Sequence, residues 1–100
     1  MRIVLLCAQG MSTSLLVERM KDAALDLGVN VEIEAHAFDS FEKQLETADV
    51  ILLGPQIRYK KNELFPKAKV ENKPIDIIDM TAYGTINGKK VLEQALTLVE

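Results

Sequence analysis

The 100-residue chain predicts a small α/β fold on a four-stranded parallel sheet in the order 2-1-3-4, and three observations carry that reading. Two apolar runs, Ile3 to Leu6 and Val50 to Leu53, show no polar alternation, which suits strands buried on both faces. Segments with helical apolar spacing follow them. Gly28, Gly54-Pro55 and Pro74 punctuate the junctions. Alternation of the βαβαβαβα kind implies helices on both faces of the sheet, and right-handed crossovers leave 2-1-3-4 as the commonest small arrangement.

The first strand is Ile3-Val4-Leu5-Leu6. After it Leu16, Met20, Ala23, Ala24 and Leu27 recur at helical spacing, with Glu18, Arg19, Lys21, Asp22 and Asp26 largely opposite. Gly28 ends this helix in a left-handed position. Val29 to Ala37 alternates Val31, Ile33 and Ala35 against Glu32, Glu34 and His36, the pattern of an edge strand. Asp39 and Glu42 have capping-box spacing, and Phe38, Phe41, Leu45 and Ala48 predict a short amphipathic helix. Asp49 to Leu53 is another buried strand. Between Arg58 and Asn72, Leu64, Phe65, Ala68 and Val70 suggest a helix that Pro66 should kink or break. Pro74 introduces a fourth strand, Ile75 to Ile78. Asn87 is placed to cap a last helix with Val91, Leu92, Ala95, Leu96 and Val99 inside.

Composition sets the bounds. One hundred residues make one domain, residues 1-100, able to bury roughly two-thirds of its unfolded surface in an ordinary core. A net charge of -3 argues against binding nucleic acid by broad phosphate neutralisation. One cysteine excludes an internal disulfide and suits a reducing cytoplasm. The apolar start is interrupted by Gln9, Ser12, Thr13 and Glu18, too early for a signal-peptide core or the ~20 residues of a membrane span. A soluble chain without direct membrane insertion is expected, any membrane role coming through a partner.

In a 2-1-3-4 sheet the chain leaves the first and third strands in opposite directions, and a crevice opens beyond their carboxyl ends. The loops that should line it are Cys7 to Ser12, Gly54 to Tyr59 and Asp79 to Thr85. CAQGMSTS, residues 7 to 14, therefore sits where a ligand would bind. Helix-start N-H groups lack intrahelical partners and carry the positive end of the dipole, so such a turn attracts anions. Gly10 lets several N-H groups turn inward, and Ser12, Thr13 and Ser14 add hydroxyls. The same dipole favours a Cys7 thiolate, a nucleophile near neutral pH. Against this stands a plainer reading, in which Cys7 is a small buried side chain and the hydroxyls are helix caps.

Three loop types can be compared with these letters. A nucleotide P-loop needs Gly-Lys before Ser or Thr, which the first turn lacks. A flavin-binding loop uses hydroxyls and glycine in this way but has no need of the cysteine. Low-molecular-weight tyrosine phosphatases and arsenate reductases carry an arginine six residues after the cysteine, where this chain has Thr13, and no second cysteine is present to resolve a disulfide.

The sequence resembles the enzyme IIB components of the bacterial phosphotransferase system, in the lactose, cellobiose, chitobiose and lichenan group. The matching pieces are CAQGMSTSLLV (7 to 17), ADVILLGPQIRY (48 to 59), NKPIDIID (72 to 79) and AYGTINGKKVLEQAL (82 to 96), essentially the whole chain. The resemblance implies a fold similar to the low-molecular-weight tyrosine phosphatases and a phosphoryl relay. Cys7 would take phosphate from a phosphohistidine of enzyme IIA and pass it to a sugar, such as cellobiose or lactose, carried by the membrane enzyme IIC. Ala8, Gln9, Gly10, Met11, Ser12, Thr13 and Ser14 match the segment that cradles the phosphoryl group. No cofactor or metal is called for, and the chain would lie at the inner face of the membrane through enzyme IIC. The alternative function is a phosphatase-like hydrolase. A relay must hold its phosphocysteine until the sugar arrives, which gives the missing arginine a reason, and Thr13→Arg should shorten the phosphoenzyme lifetime.

Gln56 and Tyr83 fall on loops beside Cys7, to orient a partner or the phosphoryl group or simply to pack. Asp79 is either a general acid, as in the phosphatase reading, or a strand-end carboxylate binding nearby backbone. His36 reads as structural and away from the crevice, and one His with one Cys makes a poor zinc site. Arg58, Lys60, Lys61, Lys67, Lys69 and Lys73 form a basic segment, either a solvated face or a match for an acidic patch on enzyme IIA or IIC. Met11 and Leu15 are placed to offer apolar contacts to the same partners.

Overall fold

The computed structural model describes residues 1–8 and 13–99. Within them β1 (Arg2–Cys7), β2 (Glu32–Ala37), β3 (Val50–Leu53) and β4 (Ile75–Ile77) form one all-parallel sheet in the order β2-β1-β3-β4. The register runs Leu6 against His36 and Cys7 against Ala37 on one side, and Leu6 against Leu53 on the other. The expected topology is met.

The unbroken apolar run of β1 has its reason in two cores, one on each face. Ile3 and Leu5 join Val50 and Leu52 under α1 (Ser14–Leu27) and α5 (Gly88–Leu98), whereas Val4 and Leu6 join Ile51 and Leu53 under α2 (Phe41–Thr47) and α3 (Lys61–Val70). Each of these strand side chains is fully buried, worth roughly 1.5–3 kcal/mol apiece against exposure. At the α1–α5 crossing Gly88 lets the backbones meet. A Cβ there would stand 2.3 Å from the Arg19 carbonyl carbon and 2.5 Å from the Met20 nitrogen.

Several element ends differ from expectation for identifiable reasons. Gly28 does close α1 in the left-handed conformation (φ 70°), but Leu27 points outward, 47% exposed, because it falls on the turn where the stripe leaves the sheet. Strand β2 starts at Glu32 rather than Val29. Glu32 N-H donates to Met1 O, where pairing with β1 begins. Asp39 makes no capping box, for a 3-10 turn (Phe38–Ser40) precedes α2 and the Ser40 hydroxyl donates to Ala37 O instead. Pro66 neither breaks nor ends α3. One lost donor is outweighed by Leu64 and Ala68 buried beneath it, although Val70 is exposed. Val99 is exposed as well, just beyond α5. The stretch expected as a loop at Asp79 to Thr85 holds a short helix, α4 (Met80–Gly84). Among the described residues no helix is long and apolar enough to cross a membrane.

Candidate functional site

The site grows from the carboxyl end of β1, where the chain leaves between its two neighbouring strands. Cys7 is fully buried there. Its Sγ lies 3.7 Å from Thr13 Oγ1, and either atom can donate. Thr13, also fully buried, stands at the N-cap position of α1 without a side-chain capping bond. Its hydroxyl lies against the thiol and makes no capping bond to the helix start, so for Thr13 the plain capping role is set aside. The first turn of α1 carries no acidic side chain to offset the positive end of its dipole. Ala8 and Ser14 flank the site and are exposed, while Gln9, Gly10, Met11 and Ser12 lie outside the described residues.

Two further elements close around the thiol. Strand β3 ends at Gly54, whose N-H donates to Leu6 O at 2.7 Å, and a 3-10 turn (Pro55–Lys60) begins at once. A Cβ at residue 54 would lie 3.5 Å from Cys7 Cβ and 2.9 Å from Gln56 Oε1. Glycine at 54 thus keeps room between the thiol and the next polar side chain. Gln56 Nε2 donates to the Tyr83 hydroxyl at 2.8 Å, joining this turn to α4. The crevice loops after β3 and β4 therefore meet through a side-chain pair that the sequence placed only as neighbours.

Other residues singled out in the sequence resolve into local roles. Asp79 caps α4, its Oδ2 accepting from Ala82 N-H, and Asp79 N-H donates to Gln94 Oε1. A carboxylate engaged in this way serves as a cap. His36 does stand at the carboxyl end of β2, but its ring turns back along the α2 face to Glu34, with Nε2 2.8 Å from Oε1. Arg2 and His36 both hydrogen-bond Glu34, in that order of effect, and hold its carboxyl down to about 2 against the opposing effect of burial. The basic segment is largely occupied by its own surface. Lys60 pairs with Glu63, Lys67 pairs with Glu42 and is raised above its ordinary range chiefly by that hydrogen bond, and Lys73 donates to Ala48 O. Leu15, beside the loop, is exposed as expected.

The sequence reading put Gly54 on a crevice loop as a strand stop without marking how near it stands to Cys7, and it passed over Gln94. Gln94, on the amphipathic α5, donates to Ile77 O and to Asp76 Oδ2 and so pins the end of β4. Nothing in helical spacing marks it. Among the described residues no group of three His, Cys, Asp or Glu side chains is disposed to hold a metal ion.

A sheet of this order, with a cysteine at the exit of its first strand, is matched by a family model described as the phosphotransferase system lactose/cellobiose-specific IIB subunit, over residues 2–94. The chain belongs to that IIB family. It is 45% identical over 98 residues to the oligo-beta-mannoside-specific EIIB component of Bacillus subtilis (strain 168), covering 98% of this chain and 95% of the relative. The solved cellobiose-specific phosphotransferase IIB component from Borrelia burgdorferi is 41% identical, with a TM-score of 0.84 across 99% of this chain and 91% of that one. A more distant likeness, in fold alone, is to YwlE of Bacillus subtilis, determined as a mutant, at TM-score 0.55 and 17% identity over 99% of this chain and 93% of that one. The expected likeness of fold is met. The IIB chain is thus a component of the phosphotransferase system.

Proposed function

We propose that this IIB chain is one phosphocarrier domain whose Cys7 accepts a phosphoryl group from a phosphohistidine of enzyme IIA and delivers it to a sugar bound by membrane enzyme IIC. In the first step the Cys7 thiolate attacks phosphorus, an S–P bond forms, the P–N bond breaks and the released imidazole keeps its proton. In the second a sugar hydroxyl attacks, the O–P bond forms, the S–P bond breaks and the hydroxyl proton passes to a base at the acceptor site. Thiolate is restored. The relay works on the cytoplasmic side, reaching the membrane only through enzyme IIC. The oligo-beta-mannoside and cellobiose specificities named for the two relatives support a β-linked oligosaccharide, lactose being a further member of that class.

The observation that carries the reading is the buried Cys7–Thr13 pair at the start of α1. Thr13 occupies the place where a hydrolase would set an arginine, so no guanidinium is available from that residue to stabilise equatorial phosphoryl charge in a water attack. Residues 8 to 14 supply the cradle, in which main-chain N-H groups at a helix start serve an anion well. The test is incubation with a phosphohistidine donor mixture and intact-mass measurement. One added phosphoryl group, lost in Cys7→Ser, is expected; steady release of p-nitrophenol from p-nitrophenyl phosphate, also lost in Cys7→Ser, would instead favour the hydrolase.

A further inference from the structure

The Gln56 carboxamide is held at one end and borders Gly54, the glycine beside Cys7, at the other. Its Nε2 donates to the Tyr83 hydroxyl at 2.8 Å, and its Oε1 lies 2.9 Å from the point where a residue-54 Cβ would stand. That same point is 3.5 Å from Cys7 Cβ. Amide and cysteine therefore flank one glycine. A primary carboxamide offers a donor and an acceptor on the same plane, and a phenol hydroxyl both donates and accepts. Turning the carboxamide by half a rotation keeps the tie, with Tyr83 now donating to Oε1, and brings Nε2 to the Cys7 side. Neither state costs a hydrogen bond.

We propose that Gln56 reads the phosphorylation state of Cys7 by this rotation, with Tyr83 as the positioning residue that anchors it in both states. The inference rests on the phosphocarrier reading above. A thiol tolerates a carbonyl oxygen nearby, whereas a phosphocysteine presents anionic oxygens that repel Oε1 and accept from Nε2. Donation from Gln56 then holds the phosphoryl group from the Gly54 side. Gly54 suits the same device, since a Cβ there would displace the carboxamide from its place.

The experiment uses 15N-labelled full chain before and after incubation with the phosphohistidine donor mixture, with intact mass read on the same samples. The Gln56 side-chain NH2 resonances, assigned by their loss in Gln56→Ala, are expected to shift on phosphorylation. Gln56→Glu, nearly the same shape but without the donor, should lower the phosphorylated fraction at fixed donor ratio on the order of tenfold, the size of one hydrogen bond to a charged group. Tyr83→Phe should lower it less, with the Gln56 shift diminished. Full phosphorylation of Cys7 with unmoved Gln56 resonances, or a Gln56→Glu fraction within about twofold of the parent on the scale of that hydrogen bond, overturns the reader and leaves the carrier standing. A parent chain that gains no phosphoryl group on Cys7 overturns both.

Discussion

At the amino end of β1 the Arg2 guanidinium holds both Glu34 oxygens, Thr47 Oγ1 and Gln44 Oε1, while its backbone N-H donates to Asp49. At the carboxyl end of the same strand Cys7 meets Thr13 through a long 3.7 Å sulfur contact, and the Gln56–Tyr83 bond nearby is exposed. One strand thus begins in a dense ionic knot tying β1 to β2 and α2, and ends in a buried thiol beside Thr13 and Gly54. The difference separates what holds the sheet from what the sheet presents. Polar groups at the first end are matched to one another across the sheet edge, whereas the second end brings a thiol, a helix start and the Gly54 turn together.

The thiol end is most sensitive at Thr13. The residue is fully buried, so Thr13→Arg must bury a larger, charged side chain, and a loss of about 3 kcal/mol or more is expected, seen as a fall in Tm beyond about 10 °C. This sharpens the expectation that such a variant merely hastens hydrolysis: the lifetime of its phosphocysteine is to be read only on the fraction that folds. Thr13→Val keeps the shape and removes the hydroxyl. It should cost about 1 kcal/mol, and an unchanged urea midpoint would show the sulfur contact to be idle.

Arg2→Met addresses the opposite end. The methionine keeps much of the buried stem but leaves Gln44 and Glu34 without their shared donor, and a stability loss of about 2 kcal/mol is expected by urea unfolding. Phosphoryl uptake per folded molecule should stay at the parent level. A drop in uptake beyond the loss of folded protein would show that the knot also governs the thiol end.

The smallest effect belongs to acid. Glu34 has its carboxyl lowered from 4.5 to about 2 by hydrogen bonds from Arg2 and then His36. A lowered carboxyl stabilises the fold fully above its unfolded value and loses that contribution as pH falls from about 4.5 towards 2. Because the side chain is 44% exposed, solvent screening keeps the contribution to about 1 kcal/mol at most. Denaturant unfolding across that range should show the loss in the parent, and Arg2→Met should flatten it. Parallel pH curves for the two would remove Arg2 as the cause.

Much of the architecture was legible because it depends on local rules. Unalternated strands at residues 3 to 6 and 50 to 53 can be satisfied only between two helical layers, and both cores formed there. Gly28 and Asn87 end and begin helices by backbone and side-chain chemistry that needs no distant partner, and both do so, Asn87 accepting from Lys90 N-H. Position alone singled out Cys7 at the switch point of the sheet.

Where burial competes with a local rule, the sequence misled. Pro66 should disrupt its helix, yet the core beneath Leu64 and Ala68 holds α3 continuous. Asp39 and Glu42 had capping spacing, but a 3-10 turn takes the place of the cap. The amphipathic periods of this chain determined the alternation of strands and helices and the strand that carries its cysteine, since apolar spacing reports which faces must leave water, and the sheet order followed as the commonest arrangement of such an alternation. Tertiary structure decided that Thr13 turns to the thiol, that Gly54 keeps the space beside it and that Gln56 meets Tyr83 across 27 residues. The Gly54 and Gln56 contacts join segments distant along the chain, and their geometry exists only once the two cores have brought the strand ends together.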